Sequence, residues 1–79
     1  MIEKQVITVW YTPDEKLPQD GLIVVVTING KSNGIQYDHA LALGEYYSND
    51  GWYVDGVASM HDIDVLAWAD LEPYKGGAK

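Results

Sequence analysis

Cysteine, arginine and phenylalanine are all absent from this 79-residue chain, and each absence closes a route. Without cysteine there is no disulfide scaffold, no thiol nucleophile and no thiolate ligand for zinc. Without arginine, five lysines spread from residue 4 to residue 79 are the whole cationic complement, against twelve carboxylates and a net charge of −7. Neutralising phosphates takes a concentrated basic patch, so direct nucleic-acid binding is not expected. No apolar run approaches the roughly 18 residues of a membrane span. The opening Met-Ile-Glu-Lys-Gln-Val-Ile sets an acid beside a base where a secretory leader would carry a basic region before an apolar one, so a soluble, cytoplasmic protein is expected. The glycines are scattered through turn signals and form no phosphate-cradling loop, and no cofactor is expected.

What is present is β-branched and aromatic: three Trp and six Tyr in a chain of this length are too many for disorder, despite the charge. One β-rich domain over residues 1–75 accounts for the length, with a tail at 76–79 that holds two small residues after Gly76 and is expected to fray. A domain of this size buries only about 60% of the surface its unfolded chain exposes. Its core is therefore thin, and either efficient packing or a second copy of the chain, as a homodimer, must compensate.

Val6–Tyr11 alternates and reads as a first strand, ended by Pro13. Pro13, Asp14, Pro18, Asp20 and Gly21 then exclude any regular element longer than one turn. Leu22–Ile28 is an uninterrupted apolar run with three valines, which predicts a central strand covered on both faces, with Val25 buried. Asn29-Gly30 and Asn33-Gly34 are turn signals four residues apart, predicting a loop or short hairpin with Lys31 and Ser32 at its tip. Residues 40–47 suit a helix capped by Asp38 or a strand; Gly44 and the Tyr46-Tyr47 pair favour the strand. Asp50-Gly51 predicts a tight turn, so that Glu45–Tyr47 and Trp52–Val54 pair as an antiparallel hairpin. Val65–Ala69 is the last strand, and Leu71–Tyr74 leaves it extended at Pro73. The fold class is mainly β: a small curled antiparallel sheet or partly open barrel of four to six strands, with one short helical turn near residues 57–64. The alternative is α+β with residues 40–47 helical.

Three segments form a pattern. Trp10 followed by Leu17-Pro18-Gln19-Asp20-Gly21 and Val24-Val25-Val26, then Gly44-Glu45-Tyr46-Tyr47 with Gly51-Trp52-Tyr53, then Val65-Leu66-Ala67-Trp68 with Leu71-Glu72-Pro73, resembles a small phage and prophage family known only as a domain of unknown function. About fifteen positions between Trp10 and Pro73 carry the resemblance. Ala67 stands where that family has His, and Asp70 where it has Pro. The resemblance implies a phage or prophage origin, a bacterial host cell as the location and a small β-rich fold. It implies no catalytic residue.

Trp10, Trp52 and Trp68 each fall on a predicted strand and are expected mainly in the core, since rings burying about 150–250 Å² each matter most where the core is small. His61 with Asp62 and Asp64, joined by His39 from another loop, is the richest set of metal-ligating residue types. Loop aspartates more often cap turns, so no metal is expected. Ser59, His61 and Asp64 hold the residue types of a hydrolytic triad without the sharp strand-to-helix turn that exposes such a serine, and no enzyme is expected. From Ser32 to Tyr74 there is no basic residue other than the histidines, while Asp38, Glu45, Asp50, Asp55, Asp62, Asp64, Asp70 and Glu72 add eight negative charges. The expected function is a protein-binding module, contacting a host or phage protein through Tyr46, Tyr47, Tyr53, Asp50, Asp55, Asp62 and Asp64. The alternative is an acidic mimic of nucleic acid that inhibits a host defence or DNA-processing protein, which requires those carboxylates on one face. A metal-dependent enzyme is the remote third reading.

Overall fold

Strands and turns, with no helix among the described residues, build the computed structural model, which describes residues 9–71. The strands are β1 (Val24–Ser32), β2 (Ile35–Tyr47), β3 (Gly51–Val54) and β4 (Ile63–Asp70). They form one antiparallel sheet in the order β3-β2-β1-β4. The mainly β expectation holds, as an open sheet with residues 40–47 in strand conformation and residues 57–62 in irregular turns. No helix among the described residues is long and apolar enough to cross a membrane.

β1 is central, as its apolar run predicts, but among the described residues only one of its faces is fully covered. Val24, Val26 and Ile28 are fully buried, whereas Val25 and Thr27 between them are half-buried on the opposite face. The expectation of a buried Val25 is thus corrected by strand alternation: the inner face belongs to residues of the other parity. Leu22 and Ile23 precede the strand and are exposed.

The turn at the head of β1 and β2 is Asn33-Gly34, both at positive φ (54° and 82°), closing the two-residue connection that twisted hairpins favour. Lys31 and Ser32 are therefore strand residues, not a tip. Asn29-Gly30 lies inside the strand, because β4 enters there: the Asp62 carbonyl accepts the Lys31 N–H at 3.2 Å and crosses directly over Gly30. At the other end of β2, Asp50 N–H donates to the Tyr47 carbonyl at 3.1 Å and Gly51 follows with φ 93°, a three-residue hairpin that confirms the Asp50-Gly51 turn.

Each neighbour of β1 carries one extra residue. Ile28 pairs with Ala40 and Gly30 with Tyr37, so Asp38 and His39 together oppose Asn29; His39 adopts φ 52°, and its N–H donates to the Asn29 side chain at 2.7 Å. On the other side Thr27 pairs with Ala67 and Ile28 with Val65, leaving Leu66 over. These bulges reset the parity, which lets Ile63, Val65 and Trp68 share the inner face although 65 and 68 could not do so on a regular strand.

Two irregular segments cover that inner face. Residues 55–62 bring Val57 and Met60 onto the core and are tied down where Ser59 N–H donates to the buried Ser32 hydroxyl at 3.2 Å. Residues 12–21 cross from the far edge of β4. Thr12 and Glu15 bond reciprocally, side chain to backbone, in a one-turn capping box. The Trp68 indole N–H then donates to the Lys16 carbonyl at 2.8 Å.

Of the three tryptophans only Trp68 is fully core, at 1% exposure; Trp52 is half-buried and Trp10, at 39%, lies outside any strand. The predicted first strand reduces, within the described residues, to Tyr11, which exchanges two 2.8 Å backbone hydrogen bonds with Trp68 and stacks tilted on it at 5.0 Å. Its residues 6–8 lie outside the described residues, as do most of the extended 71–74 segment and the tail at 76–79.

Candidate functional site

Beyond Val24 the sheet narrows to two strands, and β2 and β3 project as a hairpin. Alternation gives it two aromatic faces. Tyr46 and Trp52 are directly paired and turn to the inner side, with ring centroids 5.2 Å apart. Tyr47 and Tyr53 turn to the outer side and meet edge to face at 5.6 Å and 77°. The hairpin is braced along β2, up to the first residue of its turn, by the segment before β1. Gly21 N–H donates to the Tyr46 carbonyl at 3.0 Å, and the Asp20 carboxylate accepts the Ser48 N–H and hydroxyl at 3.2 and 3.0 Å.

Glu45 stands opposite Tyr53, and Asp50 sits in the turn. The Tyr47 hydroxyl donates to Glu45 at 3.1 Å and the Tyr53 hydroxyl to Asp50 at 3.3 Å. Two rings and two carboxylates thus line an open hollow of about 380 Å³, adjoining a larger cleft of about 520 Å³ that runs along β3 toward Val57 and Met60. Among the described residues no lysine pairs with either carboxylate. Their remaining lone pairs, with the negative ring faces, suit a cationic side chain from outside.

The hydrogen bond from Tyr47 to Glu45, and then the charge of that carboxylate, push the phenol above the ordinary tyrosine range. The fold therefore favours the neutral phenol. That contribution is complete below the unfolded value of about 10 and is lost as pH rises through the higher folded value. A tyrosinate absorbance titration should show the Tyr47 phenol ionising late, and Glu45→Gln should return it toward the ordinary tyrosine range. An unchanged titration in E45Q would refute the pairing.

Of the residues the sequence nominates, Tyr47, Tyr53 and Asp50 converge here. Glu45 completes the hollow and was missed as a site residue; its signal was its place opposite Tyr53 in the hairpin that the sequence did predict. Tyr46 faces the other side of the same strand. Asp55 follows β3, its N–H bonded to the Leu43 carbonyl at 2.9 Å, and lines the larger cleft. Asp62 and Asp64 are elsewhere: Asp64 pairs with Asn29, some eight residues up the sheet from the hairpin tip, or about 25–30 Å at strand rise. Asp70 lies at the Val24 level of β4, and Glu72 lies outside the described residues. The described carboxylates thus occupy both ends of the sheet and are not gathered into one cluster.

The histidines are exposed and locally engaged. His39 Nδ1 lies 2.8 Å from Asp38 and His61 Nδ1 3.5 Å from Asp62. No three His, Asp or Glu side chains among the described residues gather closely enough to hold a metal ion. Ser59 accepts the backbone N–H of His61 through its hydroxyl at 3.2 Å, a turn-forming role. No family model matches the chain, and no curated protein or solved structure is significantly similar to it.

Proposed function

We propose that this chain is a small accessory protein of phage or prophage origin that acts by binding another protein, not by catalysis, through the outer side of the β2–β3 hairpin. The observation that carries the reading is the hollow in which Tyr47 and Tyr53 meet edge to face while Glu45 and Asp50 each hold one phenol. Rigid aromatic rings beside carboxylates that no described lysine neutralises are the chemistry that captures a lysine or arginine side chain. The partner is accordingly a host or phage protein presenting a basic segment. The origin rests on the resemblance carried by Leu17-Pro18-x-Asp20-Gly21 and the two tryptophan segments.

Titration with a lysine- and arginine-containing peptide, followed by backbone amide shifts, should perturb Tyr47, Gly51 and Tyr53 first. Tyr53→Ala, or Glu45→Gln with Asp50→Asn, should weaken binding about tenfold or more. Affinity should also fall between about 50 and 200 mM salt, since exposed charges are screened over about 10 Å at 0.1 M. Shifts centred on Asp62 and Asp64 instead would overturn the assignment.

A further inference from the structure

β3 forms one edge of the sheet, and no described strand pairs with its outer side. The described chain begins and ends beside β4, at the opposite edge, where Tyr11 pairs with Trp68 and Leu71 follows Asp70. Two hydrogen bonds fix which backbone groups of β3 point outward. The Asp55 N–H donates to the Leu43 carbonyl at 2.9 Å, so along Leu43–Tyr47 the odd-numbered residues turn their polar groups toward β3. The Gly21 N–H reaches the Tyr46 carbonyl from the other side, so the even-numbered ones turn away. Tyr53, opposite Glu45, therefore bonds inward to β2, while Trp52, opposite Tyr46, directs its N–H and C=O out of the sheet. Further along, the Val57 N–H donates to the Val54 carbonyl at 3.2 Å and closes a turn that ends the edge.

This edge borders the cleft of about 520 Å³. Trp52, Val57 and Met60 give it an apolar inner wall, and Tyr53 stands on the outer side with Asp50 before it and Asp55 after it. Among the described residues no lysine pairs with either carboxylate. Open backbone between an apolar wall and an acidic rim is the setting for an added strand of alternating character.

We propose that the basic segment of the partner binds as an antiparallel strand added to β3, with the pattern apolar, lysine or arginine, apolar. Its cation comes from the basic-partner reading above, on which the proposal rests; what is new is the extended conformation and the residues that flank the charge. Opposite Tyr53, the cationic side chain turns to the outer side, beside the phenol ring and within reach of Asp50 and Asp55. Its two neighbours turn to the inner side and rest on Trp52, Val57 and Met60. The residue after the cation exchanges two hydrogen bonds with Trp52, its N–H donating to the Trp52 carbonyl and its carbonyl accepting the Trp52 N–H. Charge selects this occupant. A second copy of the chain carries −7, and pairing β3 with itself would crowd the Asp50 and Asp55 carboxylates of both copies together.

The test titrates acetyl-Ser-Val-Lys-Val-Ser-amide into the full chain and follows it by NMR. In the free protein the Trp52 amide proton should exchange with solvent at least about tenfold faster than those of Glu45 and Tyr53, which the hairpin holds, and saturating peptide should slow it about tenfold or more. N-methylation of the valine after the lysine should weaken binding at least about tenfold, because its N–H meets the Trp52 carbonyl. The N–H of the lysine points away from β3, so N-methylation there should change the affinity less than about threefold. Norleucine in place of lysine tests the cation separately. A peptide that needs its lysine but tolerates both methyl groups overturns the added strand and leaves the basic-side-chain reading standing. A peptide that fails to bind, or binds equally well with norleucine, overturns that reading and the strand with it. A Trp52 amide already protected in the free chain, or any other pattern of methyl effects, overturns the strand alone.

Discussion

Trp68→Ala should leave the chain largely unfolded at 37 °C. The indole is the largest fully buried side chain, packs against Tyr11 and donates to the Lys16 carbonyl, so it joins β4, the Tyr11 edge and the segment over the inner face. Truncating a buried tryptophan costs about 3–5 kcal/mol. A domain with seven buried hydrophobic residues among those described is expected near the lower end of the usual stability range of about 5–15 kcal/mol. Trp68→Phe separates the two roles. It keeps most of the packing and loses the N–H, so it should cost about 1–3 kcal/mol, chiefly from the Lys16 carbonyl left without its donor. Urea melts of both variants check this; a W68A midpoint within error of wild type would remove Trp68 from the core.

Gly30→Ala should destabilise by about 3 kcal/mol or more, a far larger effect than an exchange of glycine for alanine in an ordinary strand. A Cβ at Gly30 would lie 2.1 Å from the Asp62 carbonyl oxygen and 3.0 Å from the Ile63 Cα, and both obstacles are backbone. The local φ of 131° is in addition one that L side chains rarely adopt, at a strain of about 1–3 kcal/mol. To relieve the clash the entry of β4 must withdraw, breaking the Lys31–Asp62 hydrogen bond and loosening Ile63 from the core. Gly34→Ala is the control: nothing lies within 4 Å of its Cβ, so only the positive φ is penalised, by about 1 kcal/mol. Equal losses in the two variants would show that crowding at Gly30 is not what the residue is for.

That pair of glycines also marks where the sequence stops being legible. Asn29-Gly30 and Asn33-Gly34 carry identical local signals, and only the second is a turn. What separates them is the Asp62 carbonyl, more than thirty positions away, and no short-range rule contains it. The bulges were readable in part, since Val65 and Trp68 are both large, apolar and of opposite parity on one strand. Assigning every residue of Leu22–Ile28 to a doubly covered strand failed for a related reason. An unbroken apolar run states that a strand exists but not whether its second face meets water, protein or another copy.

The hairpin was legible because its geometry is local. Asp50-Gly51 sets the register, register sets Glu45 opposite Tyr53, and Tyr47 follows two residues on. The division of Tyr46 from Tyr47 was available from the same alternation once Gly44 is placed on the inner face. The acidic surface was illegible for the opposite reason: a run of carboxylates along the chain says nothing of their arrangement when β4 returns antiparallel to the far end of β1.

The strand order β3-β2-β1-β4 carries a kinetic consequence. Strands β1, β2 and β3 are consecutive neighbours joined by turns of two and three residues, and hairpins of that kind close in about 1–10 µs. The fourth strand must find β1 across the whole meander, with Val24 waiting for Asp70. Until it does, the most apolar strand of the chain presents an open edge, and Trp68 has no site. That long-range closure is the step expected to set the folding time, on a scale of about milliseconds to seconds for β topologies, and stopped-flow refolding checks it. A chain in which β4 has yet to pair exposes that edge to other chains.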